Sequence, residues 1–146
     1  MKMNRNRCIA FLTLRLILGL IFLMQGFGKV VTWGVENVYK ADFFHGTFKN
    51  LLPDVIICIT AYYTSYVELI GGLLVVIGLK TNYALYALAS VLVIVSFGHG
   101  MAEPIWDLSA VISRTLLLSA LLIMPQEWNK ISIDYLFTHK SQKIID

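Results

Sequence analysis

The chain has 146 residues, 58% of them hydrophobic and 14% charged, with a formal net charge of +3. Soluble domains carry about 25% charged residues, so this composition excludes an ordinary water-soluble globule. Lys and Arg form no continuous stripe, which also excludes nucleic acid as a partner. The length suits one domain, and the expectation is a single all-α integral membrane unit over residues 1–146.

Four stretches meet the roughly 20 apolar residues that a helical span requires, at about 8–31, 54–79, 82–101 and 105–124. The leader MKMNRNR before the first is basic like that of a signal peptide. The apolar run is too long for one, Arg15 interrupts it and no A-x-A site follows, so a retained span is expected. The connection at 32–53 is the long loop. Its Phe43, Phe44, Phe48, Leu51 and Leu52 alternate with polar residues, which predicts a short helix at the membrane interface; a lid over a site is the alternative. Trp33 and Trp106 suit an outer aromatic belt and Trp128 an inner one. The tail after Asn129 is amphipathic and is expected to lie on the surface.

Orientation follows the Lys/Arg bias of short loops. Lys2, Arg5 and Arg7 precede the first span, Lys80 lies in the turn after the second, and Lys130, Lys140 and Lys143 follow the fourth. Lys40, Lys49 and Lys29 fall on the other side. Both termini are therefore expected to be cytoplasmic, in a multi-pass protein of the cell (inner) membrane.

Ionisable residues within a span are costly unless paired or facing water, so each is a functional candidate. Counted from the cytoplasmic ends at 1.5 Å per residue, Glu68 lies about 16 Å deep, Arg114 about 15 Å and Arg15 about 10 Å. The simplest arrangement that avoids naked charge is one carboxylate, Glu68, bridged by the guanidiniums of Arg15 and Arg114. Gln25, His99 and Asp107 form a second level about 25 Å deep, with Lys29 one turn further out and Glu103 in the adjoining loop. On one face of the first helix fall Arg15, Gly19, Phe22, Gly26 and Lys29, and on one face of the second fall Thr64, Glu68, Gly71 and Gly72. Small residues beside polar ones permit close helix approach, predicting a four-helix bundle with a polar seam.

This seam has two readings. As structure, its charges fix helix register. As function, His99, Asp107 and Glu68 relay a proton, while Arg15, Gln25, Lys29 and Arg114 contact a quinone or an anion. No His or Cys spacing points to a metal, and Cys8 and Cys58 form no C-x-x-C, which argues against thiol-redox chemistry. A transporter with so few spans would require a homo-oligomer.

The run LRLILGLIFLMQGFGKV, with Arg15, Gly19, Gly26 and Lys29, resembles the opening span of the DoxX family. The run VELIGGLLVVIGLKT, with Glu68, Gly71, Gly72, Gly78 and Thr81, is similar to its second span. Ser132 and Asp134 match a C-terminal Ser-x-Asp seen in many members, without the glycines that often precede it. The resemblance implies a four-helix inner-membrane protein, a quinone as the cofactor, and a redox partner subunit. Some members resemble a subunit of thiosulfate:quinone oxidoreductase and others are linked with oxidative-stress complexes. A non-enzymatic solute- or lipid-binding bundle, or an assembly factor, is the alternative.

Overall fold

A computed structural model describes residues 5–103 and 109–142. Helix α1 (Arg5–Phe27) continues without a break as a π-helical turn (Gly28–Trp33). A short helix α2 (Val35–Lys40) and a second π-helical turn (Asp42–Gly46) occupy the long loop. Helices α3 (Asp54–Ile77), α4 (Thr81–Ala102) and α5 (Ser109–Ile123) follow, then a 3-10 turn (Gln126–Trp128) and helix α6 (Ile133–Gln142). Among the described residues there is no strand. Three helical segments are long and apolar enough to cross a membrane: Arg5–Trp33, Asp54–Ile77 and Thr81–Ala102. A fourth apolar helix, Val111–Ile123, is shorter, and the expected start of that span at 105 lies outside the described residues.

The long helices pack in the order α1, α3, α4, α5, with α5 returning to α1. Their common core holds Phe11, Leu18 and Phe22 from α1, Val75 from α3, Leu85, Leu88 and Leu92 from α4, and Leu118 and Leu121 from α5. Large apolar side chains also point outward, including Met24, Ile59, Ile70, Val93, Phe97 and Leu116. A soluble monomer would not expose an apolar belt of this extent; acyl chains solvate it without cost.

Glycines set the contact of α1 with α3. A Cβ on Gly19 would fall 2.7 Å from Val76 Cγ2, one on Gly26 would meet the Leu69 backbone, and one on Gly72 would fall 2.7 Å from Leu23 Cα. The three contacts share one antiparallel register, and that register sets the level of every polar residue below. Gly72→Ala should force the two backbones apart, at about 1–3 kcal/mol as for other overpacked cores. A thermal melt in detergent matching the unsubstituted protein would show that the helices are not this close.

The α3–α4 connection is tight. Gly78 (φ +70°) closes α3, its N–H reaching Val75 O at 3.2 Å while Leu79 N–H reaches Leu74 O at 3.0 Å. This is the paired helix end for which glycine is favoured in the left-handed region. Lys80 (φ 47°) follows, also left-handed, and leaves the first N–H groups of α4 to be capped from elsewhere. Asp134 supplies the cap, accepting from Lys80 N–H at 2.7 Å and from Thr81 N–H and Oγ1 at 3.0 Å each. The start of the tail thus docks on the bundle. Asn129 and Ser132 are buried, and Ser132 Oγ caps α6 by accepting from Tyr135 N–H.

At the opposite end the loop folds back on α3. Val35 and Val38 are buried. Asp54 accepts from Tyr39 Oη at 2.6 Å and lies 2.9 Å from His45 Nε2. Trp33, Phe43, Phe44 and Phe48 form a chain of ring contacts, and Phe48 lies beside Gly98 of α4. Its bond to Asp54 pushes the Tyr39 phenol up to about 12. A raised pKa favours the fold below the ordinary tyrosine range, and that contribution disappears as pH climbs through about 12. Phenolate absorbance should therefore show one late-titrating tyrosine, which vanishes in Tyr39→Phe; an unchanged curve would place Tyr39 away from Asp54.

Candidate functional site

The register of α1 on α3 sorts the intramembrane charges. Lys29 comes within half a turn of Glu68, whereas Arg15 comes level with the turn at Lys80. Arg15 and Glu68 are thus separated by roughly 12 residues of α3, about 18 Å along its axis.

Glu68 points into the protein, its side chain only 4% exposed. Its partner is Lys29, whose Nζ lies 2.7 Å from Oε2. Lys29 belongs to the π-helical turn, where the wider backbone departs from the α-helical direction of the residues before it. Its side chain is 26% exposed, so the cationic side of the ion pair reaches the protein surface while the carboxylate does not. Arg114, half-buried on α5, lies within electrostatic reach of Glu68 but outside ion-pair contact. Gln25, one turn below Lys29, has a buried Oε1 with no hydrogen-bond partner. Thr64 and Ser65, on the same stretch of α3, are buried and return their hydroxyls to backbone carbonyls at Thr60 and Ala61. Glu68, Lys29 and Arg114 thus form a polar cluster drawn from three helices, with Gln25 one helical turn from Lys29.

The expected Arg15–Glu68–Arg114 bridge is corrected by this geometry. Arg15 is buried, 2% exposed, but at the other end of the bundle. It donates to Asn129 Oδ1, to Ile131 O at 2.7 Å and to Val76 O at 3.4 Å, and packs against Gly78. The depth count failed because α1 begins about 15 Å before Arg15 and runs past the α3–α4 turn, where the tail covers it. Lys29, placed by that count one turn outside the second level, is instead the direct partner of Glu68.

The second level is not assembled as one group. Gln25 lies near the level of Glu68, since its neighbour Gly26 packs against the Glu68–Leu69 backbone. His99 is exposed near the end of α4, about two turns beyond the level of Glu68, and Glu103 is exposed just after that helix. Asp107 lies outside the described residues, as does Trp106. Among the described residues no three His, Cys, Asp or Glu side chains gather as metal ligands.

The sequence reading missed the Lys29–Glu68 pair and the clasp built by Arg15, Gly78, Asn129 and Asp134. The glycines carried the signal for the first. Setting Gly26 against Leu69 and Gly72 against Leu23 fixes the register and brings Lys29 to Glu68.

Comparison with known proteins gives one family match. The DoxX family model matches residues 10–101, more than half of the chain, and covers most of α1, the loop, α3 and nearly all of α4. No curated protein and no solved structure matches significantly.

Proposed function

The chain belongs to the DoxX family, and from that premise we propose that it is a membrane subunit of a quinone-linked redox complex. The Glu68–Lys29–Arg114 cluster manages charge and protons in it. The observation that carries this reading is a buried carboxylate held against one cation with a second in reach. A register-fixing ion pair needs only one. Ionisable groups clustered inside a bilayer typically mark paths for ions or protons. The apolar helices form a four-helix transmembrane bundle, with the loop helix α2 at the outer interface and both termini on the cytoplasmic side of the inner membrane. Both ends of the described chain lie at the Lys80 end, which supports that orientation.

No cofactor-binding motif lies in the chain, so a redox partner subunit supplies the electrons. Lys29 and Arg114 are suited to hold a quinone carbonyl and Gln25 Oε1 to accept from a quinol hydroxyl, with Glu68 as the proton acceptor. The test is quinone reduction by protein purified with its partners from native membranes, using thiosulfate as donor. Reduction should appear and fall at least tenfold in Glu68→Ala. No reduction by the intact complex would overturn the reading.

A second reading, a non-enzymatic lipid-binding bundle, is favoured by an apolar groove between α3 and α4. Tyr66, Ile70, Leu74 and Tyr83 line it, with Lys80 at one end. Under that reading Glu68→Gln leaves every measured activity of the complex unchanged, and lipid retained through purification is lost in Lys80→Glu.

A further inference from the structure

Among the described residues the buried cluster sets two cations, Lys29 and Arg114, against one carboxylate, Glu68. Among these, Lys29 is the one in contact with that carboxylate, and its side chain is also partly exposed. We propose that Glu68 is a tethered competitor for a small oxyanion, which binds between Lys29 and Arg114 as Glu68 takes up a proton. This deepens the role given above to the same cluster, and it rests on that cluster being the functional site.

The geometry supplies each part. Three ammonium donors and five guanidinium donors suit an anion rich in oxygen acceptors. While ionised, the carboxylate occupies the lysine. Once protonated it no longer competes, and its hydroxyl can donate to Gln25 Oε1, which is buried without a partner. The charges balance: with Glu68 ionised the two cations leave the site at +1, and a divalent oxyanion entering with one proton brings it to neutrality, which avoids the cost of burying an unpaired charge.

The other ionisable groups around α3 do not share this role. At the level of Glu68, α4 presents Leu88, Val91 and Leu92, none of which titrates. On the loop, Glu36 is paired with Lys40 and Tyr39 with Asp54. Arg15 is about 18 Å away, and His99 lies beyond the cluster on α4.

The experiment is calorimetry of the full chain in detergent, with inorganic sulfate as probe, in two buffers of different protonation enthalpy. About one proton should be taken up per sulfate. Affinity should rise about tenfold for each pH unit lowered above the titration of Glu68. Glu68→Gln should bind sulfate at least tenfold more tightly than the unsubstituted protein near neutral pH, with no proton uptake and no pH dependence. Lys29→Gln should weaken binding at least tenfold. Sulfate binding without proton uptake, absence of binding, or weaker binding by folded Glu68→Gln would each overturn the proposal. Should Glu68→Gln fail to fold, the proton count on the unsubstituted protein decides. Quinone reduction by a complex that binds no sulfate would retire the anion site and leave the redox reading standing; sulfate binding without quinone reduction would do the reverse.

Discussion

Lys29→Met should destabilise the protein by about 3–5 kcal/mol near neutral pH, while Glu68→Gln should cost only about 1 kcal/mol. The two substitutions break the same 2.7 Å ion pair, so the difference lies in what each leaves behind. Methionine at 29 leaves a carboxylate that is only 4% exposed without its contacting cation. Arg114 acts on it from a greater distance and does not replace the contact. Glutamine at 68 leaves a lysine that is already 26% exposed and can extend its ammonium outward on an apolar stem. Thermal or denaturant unfolding of both variants in one detergent measures the asymmetry. Equal losses would mean that Glu68 is better solvated than its burial indicates.

Arg15→Ala should release the C-terminal clasp and cost a similar 3–5 kcal/mol. One buried guanidinium, its residue only 2% exposed, satisfies Asn129 Oδ1 and the carbonyls of Ile131 and Val76. Without it, Asn129 and Ile131 lose their anchor and Asp134 is held to the α4 start only by its own hydrogen bonds. Arg15→Lys should not rescue the loss, because a single ammonium cannot span three acceptors in a planar fork. Limited proteolysis reads the release directly: cleavage between α5 and α6 should become fast in Arg15→Ala and stay slow in Glu68→Gln. A tail equally protected in both would show that the clasp does not depend on Arg15.

Much of the helical layout is legible in the sequence, for a physical reason. A run of about 20 apolar residues has few ways to satisfy its backbone other than as a helix in a membrane. Hence α3 and α4 begin and end within two residues of the expected 54–79 and 82–101. The inward direction of Glu68 was legible for the same reason, since a carboxylate facing acyl chains has no compensation. Its partner was not. Counting depth from span ends assumes that every helix enters the membrane where its apolar run starts, and α1 does not. It starts with a polar, exposed turn of Arg5, Asn6 and Arg7, beside which the 3-10 turn packs, Arg7 lying 5.2 Å from the centre of the Trp128 ring. Arg15 and Glu68 were therefore set side by side when the register holds them about 18 Å apart.

The clasp illustrates a second limit. Ser132 and Asp134 read locally as the start of a helix, and Ser132 does cap α6. Nothing local indicates that the Asp134 carboxylate crosses to the start of α4, because that bond joins residues 53 and 54 positions apart. The left-handed Lys80 was the available clue: a helix start without its own capping side chain requires a cap from another part of the chain.

The account depends on Glu68 and Lys29 meeting inside the protein, and a double-mutant cycle on the two tests it most directly. The double variant Lys29→Met, Glu68→Gln should unfold later than Lys29→Met alone, with a coupling of at least about 1.5 kcal/mol. Simple additivity of the two single losses would mean that the pair does not form, and the polar cluster built on it would fall with it.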